Sequence, residues 1–339
     1  MVAMRKALLL ALAVALISYT ILFLVMYLSD ISFVYDILLR RKSLGYALLA
    51  LTSRMASVTL HALTFYVLVK MFGGIALSDV LKITYISIFT ELIVPIGGIT
   101  EVTKFALLNR YTSLASSRTI LGIASHRVVT TLTMTFFMVV ALVGLHVSLP
   151  RAMILVMPAV ALLIINVALL ALPRSRKLES LVNRVLRTSG KRGELRFHEE
   201  YNNEFLKLAT RHDLILLATS LSILERLANV LHGYSLSLLT GVSLNVWQLV
   251  LGFDSIYMIM WLLPVVTPGN VGIYELTQTG VLTLVGTDRG VAALLSVLTR
   301  VFIVLGEYPL FLLAMLSFGI SLKSVLSYVE EAKKSYRLK

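Results

Sequence analysis

The sequence predicts an all-α polytopic membrane protein: six full spans plus two broken, re-entrant helical hairpins in an inverted-topology repeat. Three observations carry that expectation. The chain has 339 residues, of which 58% are hydrophobic and 14% charged, whereas soluble domains carry roughly 25% charged residues. Its mean hydropathy is +0.88, and several stretches reach the roughly 20 apolar residues that a spanning helix requires. Two segments, VPIGGITE (Val94 to Glu101) and VTPGNVGIYE (Val266 to Glu275), set Pro, Gly and a carboxylate inside strongly apolar sequence.

The elements follow in order. The first apolar run, Ala7 to Leu28, comes after Arg5 and Lys6. It is longer than a signal-peptide core and no small-residue cleavage site follows it, so it reads as a retained span. The six full spans are placed at about 7–28, 44–70, 119–146, 152–172, 213–239 and 290–322. Two further apolar regions, about 79–111 and 246–286, are interrupted near their middles by the Pro/Gly segments. Their halves, about 11–18 residues, are short for independent spans, so each region reads as two half-helices joined at a tip. Non-helical backbone at that depth must be buried in protein or line a cavity.

Charge sets the orientation. Lys and Arg favour the cytoplasmic side. Arg5 and Lys6, the group Lys104, Arg110 and Arg118, the loop 173–212 with its net charge of +5, and the basic tail all fall on that side if both termini are cytoplasmic. Arg40, Arg41 and Lys42 are the exception, beside Asp30 and Asp36. The first broken region then enters from the cytoplasm and the second from outside. The whole chain is one transmembrane domain, 1–339. A first repeat lies at about 44–146 and a second at about 213–322, with the basic loop of about 173–212 between them. Spacing supports the repeat. Pro95 to Glu101 is 6 residues and Pro268 to Glu275 is 7; Glu101 to Arg127 is 26 and Glu275 to Arg300 is 25. Inverted repeats with broken helices are a transporter arrangement.

Composition also excludes. The chain has no cysteine, so disulfides and thiolate metal sites are ruled out. No GxGxxG, P-loop or HExxH pattern occurs. The histidines show no ligand spacing, so no metal and no cofactor are expected. The net charge of +13 points to cytoplasmic loops and anionic headgroups rather than to nucleic acid.

These segments are also where a family resemblance lies. The run Pro95, Gly97, Gly98 and Glu101 resembles the Pro-Gly-x-x-Gly-Glu-like motif of the flippase-like membrane domain of lysylphosphatidylglycerol synthetases. Pro268, Gly269, Gly272 and Glu275 resemble that family's later Pro-x-Pro-Gly-Gly-x-Gly-x-x-Glu-like motif. Asn270 stands where Gly is usual, and Pro264 lies four residues before Pro268 rather than two. The resemblance covers nearly the whole chain. It implies the fold and lipid handling by translocation. With the repeat, the intramembrane arginines and the absence of a metal or nucleophile motif, the expected function is a membrane transporter, not an enzyme, that moves an anionic phospholipid or polyprenyl-phosphate-linked lipid between leaflets. No aminoacyltransferase or glycosyltransferase segment accompanies it here, so lysyl transfer is not implied. Two alternatives stand beside it: a membrane-embedded lipid-modifying transferase, and a lipid-binding subunit of a partner glycosyl or aminoacyl transferase. A homo-oligomer is compatible with either. The expected location is the plasma membrane.

Candidate site residues follow from the cost of burying charge. An Arg at the bilayer centre costs about 2.5–3.5 kcal/mol on insertion scales, and its planar fork suits phosphate. Arg127, Arg300, Arg54 and Arg226 are therefore expected at a lipid phosphate; the competing reading is a buried ion pair with Glu101 or Glu275. Those two carboxylates either cap a helix N-terminus and hold an Arg, or titrate and engage the substrate. Gly97, Gly98, Gly269 and Asn270 would line the tips, and Pro95, Pro264, Pro268 and Gly272 would shape or gate them. The competing reading for the tips is a tight structural turn. Half-helices starting at Thr100 or Glu101 and at Asn270 would point free N–H groups at a phosphate.

Overall fold

Apolar runs with few charges leave the peptide groups no partner but the chain's own backbone, and helices satisfy them within one segment. The computed structural model describes residues 44–93, 98–112, 114–174, 197–262 and 270–319, together with Thr20, Leu24 and Tyr27. Most of the expected first span, the segment 175–196, the tip residues Pro95, Gly97, Pro264, Pro268 and Gly269, and the basic tail lie outside the described residues.

The described chain is helical. It runs α1 (Leu44–Lys70), α2 (Leu77–Ile93), α3 (Ile99–Tyr111), α4 (Ser116–Gly144), α5 (Leu149–Ala171), α6 (Phe197–Thr210), α7 (His212–Thr240), α8 (Val246–Leu249), a π-turn (Val250–Asp254), α9 (Ile256–Leu262), α10 (Ile273–Leu284) and α11 (Arg289–Phe318). Five of these, α1, α4, α5, α7 and α11, are long and apolar enough to cross a membrane. The protein is a multi-pass membrane protein. Observed ends depart from the expected spans by a few residues because local chemistry sets them. α7 stops at Gly241 (φ 73°), where Val242 N–H returns to Ser237 O at 2.9 Å, a left-handed stop that glycine supplies without strain. α11 starts where Asp288 accepts from the N–H groups of Gly290 and Val291.

The two broken regions give short helices. α2 has 17 residues and α3 has 13, or about 25 and 20 Å at 1.5 Å per residue, against a hydrocarbon core of about 30 Å. The second region holds α8, the π-turn and α9 before its break, then α10 with 12 residues. Element lengths recur in order. The 27-residue α1, α2, α3 and the 29-residue α4 are followed later by the 29-residue α7, the stretch Val246–Leu262, α10 and the 30-residue α11. Packing recurs too. α1 lies along α7; α11 packs on α1 and α2, while α4 packs on α7, α8 and the π-turn. Each half's last long helix thus closes over the first two elements of the other half.

Close approach of these helices rests on small residues, as expected where lipid supplies no hydrophobic drive between helices. A Cβ on Gly233 of α7 would meet the Phe253 ring at 2.5 Å, and one on Gly252 would meet Leu282 at 2.3 Å. Gly144 accommodates the Trp247 indole in the same way, at 2.5 Å. The outer faces of α5 and α11 carry exposed Ile154, Ile164, Leu305, Leu313 and Leu316, the composition of a lipid-facing surface.

α6 differs from the rest. Its sequence is polar on one face, and it packs on α4 beside the end of α5. Arg118 binds Glu204 at 3.1 Å, Glu200 at 3.3 Å and the Phe72 carbonyl at 3.1 Å. Tyr201 is fully buried and donates to Leu170 O at 2.9 Å; burial holds its phenol above the ordinary range and keeps that donor protonated.

Gly233→Val forces the Phe253 ring aside and lowers stability by about 1–3 kcal/mol. Gly280→Ala, where an added Cβ meets nothing within 4 Å, leaves it unchanged or slightly raised. Thermal unfolding of the full chain in detergent measures both.

Candidate functional site

The buried charges converge. Arg54 (α1), Arg127 (α4), Arg226 (α7) and Arg300 (α11) line a single cavity of about 170 Å³ between the two halves. An apolar cavity of about 150 Å³ admits benzene, so this one has room for a phosphoryl-sized group. Its other polar walls include Glu91, Thr100, Glu225, Asn229, Asn270 and Glu307.

The lining obeys the same intervals in both halves. Arg127, Thr130 and Met134 on α4 recur three and seven positions on as Arg300, Ile303 and Glu307 on α11. Ile88 and Glu91 on α2 match Tyr257 and Met260 on α9, and Arg54 and Ser57 match Arg226 and Asn229. Offsets of three, four and seven put residues on one helix face, which is why each helix turns its own set inward.

Every arginine has a carboxylate. Arg127 bonds Glu101, one turn into α3. Arg300 Nε donates to Glu275 Oε1 at 2.7 Å, and its guanidinium lies 4.7 Å from the Tyr274 ring. Arg54 bonds Glu307, with Nε at 3.0 Å from Oε1, and donates from Nη1 to the Tyr257 hydroxyl at 2.8 Å. Arg226, at 2% exposure, bonds Glu225 and approaches Asp254 Oδ1 at 3.0 Å. The first two pairs lie within a half and the third spans the halves. In low dielectric a lone charge is far costlier than a paired one, so each pair also locks its helices together.

Backbone irregularities serve these pairs. Gly306 precedes Glu307, and a Cβ there would meet Arg54 Cγ at 3.2 Å; glycine lets the arginine lie along α11. The π-turn carries fully buried Asp254 toward Arg226 and Asn229, whose Nδ2 donates to Oδ1 at 2.9 Å. Gln278 of α10 donates to the carbonyl of Gly252 in that turn at 2.9 Å, satisfying a backbone acceptor that the wider turn frees. Nothing in the residue pattern announces the π-turn, and Tyr257, Asp254 and Asn229 owe their place to it and to α7.

The described starts of the two half-helices differ from the expected positions. α3 begins at Ile99 behind Gly98 (φ 76°), and α10 begins only at Ile273 behind Gly272 (φ 85°), three residues later than Asn270. Glu275 reaches back to the Gly272 N–H at 2.7 Å, so that donor is already taken. Asn270 itself is buried at φ 54° and lines the cavity. Two residues after Gly98, Thr100 donates to Glu91 Oε2 at 2.6 Å.

Lys104 is a further correction. The orientation count uses it as a cytoplasmic charge, yet it is 1% exposed. Its Nζ lies 3.4 Å from His61 Nε2 and 4.9 Å from the Phe65 ring centre, and His61 Nδ1 meets Glu225 Oε1 at 3.1 Å. A lysine three positions after Glu101 on an inward helix face is the signal that marks it as interior.

Comparison with known proteins places the chain in a family. Residues 8–308, most of the chain, match the family described as the lysylphosphatidylglycerol synthase TM region. No curated protein matches the chain.

Glu307→Ala leaves the Arg54 guanidinium without its carboxylate and lowers stability by about 3–5 kcal/mol. The double substitution Arg54→Met with Glu307→Leu loses clearly less than Glu307→Ala alone. Unfolding temperatures of the two variants in detergent decide it.

Proposed function

We propose that this protein, which belongs to the family of the lysylphosphatidylglycerol synthase transmembrane region, moves an anionic phospholipid or polyprenyl-phosphate-linked lipid between leaflets. It acts as a transporter and not as an enzyme. The observation that carries this reading is the convergence of four arginines, from four helices of a membrane protein, on one cavity. Such charges are retained at membrane depth where they meet a substrate or an ion path.

In this reading α2–α3 and the stretch from α8 to α10 are re-entrant hairpins. They enter from opposite sides, because the halves form an inverted repeat and both termini lie in the cytoplasm. The matching element lengths and lining intervals support the repeat. The headgroup phosphate engages Arg127 and Arg300 and exchanges with Glu101 and Glu275 as their partner. Arg54 and Arg226 supply the opposite wall. Gly98, Asn270 and Gly272 give the tips their left-handed backbone, and the acyl or prenyl tail stays in lipid along the apolar outer faces. No nucleotide-binding motif occurs in the sequence, so transfer runs on a gradient or on the lipid's own imbalance.

Purified protein in proteoliposomes speeds leaflet exchange of fluorescent phosphatidylglycerol at least about tenfold over empty vesicles. Arg127→Lys and Arg300→Lys each lower that rate about tenfold or more, since a charged hydrogen bond is worth about 1.5–3 kcal/mol and lysine lacks the fork. Equal acceleration of phosphatidylglycerol and phosphatidylcholine sinks the reading. Turnover of a lipid-linked sugar or aminoacyl donor by the purified protein moves the assignment to a transferase.

A further inference from the structure

We propose that Glu91 is the proton-coupling site of this cavity, taking up one proton together with an anionic headgroup and releasing it on the other side. This deepens the transport reading above and rests on it.

The first argument is charge balance. Among the described residues, the cavity, the partners of its arginines and Lys104, which touches the lining His61, together hold five cations, Arg54, Lys104, Arg127, Arg226 and Arg300. Against them stand six carboxylates, Glu91, Glu101, Glu225, Asp254, Glu275 and Glu307. The fixed charges are already spent on one another. An incoming phosphate would add negative charge to a site where an uncompensated ion is costly. One proton per singly charged headgroup restores the balance.

The second argument is which group can take that proton. Glu101, Glu225, Glu275, Glu307 and Asp254 each face a guanidinium within 4.0 Å. Protonating Glu101, Glu275 or Glu307 breaks an ion pair and strands a buried arginine charge; protonating Glu225 or Asp254 leaves Arg226 its other carboxylate but still breaks an ion pair. Glu91 has no cation within 4.0 Å among the described residues; its bond is to the neutral Thr100 hydroxyl. It can be neutralised without undoing an ion pair. It also lines the cavity, so the proton has a wet route while the site is open.

The third argument is position. Glu91 on α2 and Thr100 on α3 join the two helices across their break. The matching place in the other half is Met260, so the described residues hold one such site. The groups acting on Glu91 are Thr100, Glu101 and Lys104 of α3, Arg127 of α4 and Glu307 of α11; Arg54 and His61 of α1, Glu225 and Arg226 of α7 and Arg300 of α11 stand on the same cavity wall. The step balances simply. A proton from water forms an O–H bond on the Glu91 carboxylate, no other covalent bond changes, and the proton returns to water when the site opens opposite.

The test uses the full chain in proteoliposomes with fluorescent phosphatidylglycerol, the membrane potential clamped at zero and a one-unit pH gradient. One proton per headgroup drives lipid away from the acidified leaflet and shifts the steady-state leaflet ratio by up to about tenfold. In Glu91→Gln that ratio stays near one. Exchange in the wild type that ignores the gradient, or a gradient response retained by Glu91→Gln, overturns the proposal. If no exchange occurs at all, the transport reading fails, and infrared spectroscopy still judges Glu91. Adding dioleoylphosphatidylglycerol to the detergent-solubilised protein at fixed pH raises a protonated-carboxyl band that is absent in Glu91→Gln. Thr100→Val, which removes the bonded hydroxyl, shifts that band. No band in the wild type, its persistence in Glu91→Gln, or an unmoved band in Thr100→Val overturns the assignment.

Discussion

Buried charge in a medium that cannot solvate it is the constraint on which the rest of this structure depends. An arginine inside a helical bundle at membrane depth must meet a carboxylate, and the carboxylate must come from a neighbouring element. Four such pairings tie α1 to α11, α3 to α4, α7 to the π-turn, and α10 to α11. Apolar packing alone would let these helices slide, since lipid competes for the same faces. The ion pairs give the contact a register. They also explain the local irregularities. Gly306 admits Arg54, the π-turn presents Asp254, and Gln278 closes the acceptor that the π-turn opens.

The recurrence of lining intervals shows how one constraint is met twice. The arginine pairs 54 with 226 and 127 with 300 occupy matching places, and so do Glu101 and Glu275. The halves then diverge where their chemistry differs. Glu307 stands opposite Met134 and Glu91 opposite Met260, so one half brings a carboxylate wherever the other brings a thioether. Arg54 therefore draws its partner from the far half, whereas Arg226 finds Glu225 and Asp254 in its own. That imbalance leaves Glu91 as the lining carboxylate outside the ion pairs among the described residues. A strictly repeated cavity would offer two equivalent sites; this one offers a single odd group beside a helix break.

Outside the cavity the same economy is visible at the polar end of the bundle. α6 is too polar to span and is held by Arg118 and by the buried Tyr201. Arg118 also takes the Phe72 carbonyl beyond the end of α1. One side chain thus joins the start of α4, the end of α1 and the helix that leads into the second half.

The sequence by itself determined the class of the protein and the places where its regularity fails. Long apolar runs allow helix and little else, so α1, α4, α5, α7 and α11 fall within a few residues of the expected spans. Single Pro or Gly residues are carried within α5 and α11, but clusters of both disfavour a continuous helix, so the breaks after α2 and before α10 were legible, as was the inward face shared by Arg54 and His61 and by Arg300 and Glu307. Tertiary structure alone decided which opposite charges meet. Glu307 shares a face with Arg300 yet bonds Arg54, Lys104 looks like a loop charge yet lies in the core, and Glu275 spends itself on its own helix start as well as on Arg300. Helical periodicity assigns a side chain to a face of its own helix. The partner across that face depends on how two helices cross and on a π-turn that shifts the register of everything after it, and those are set by packing between segments far apart in the chain.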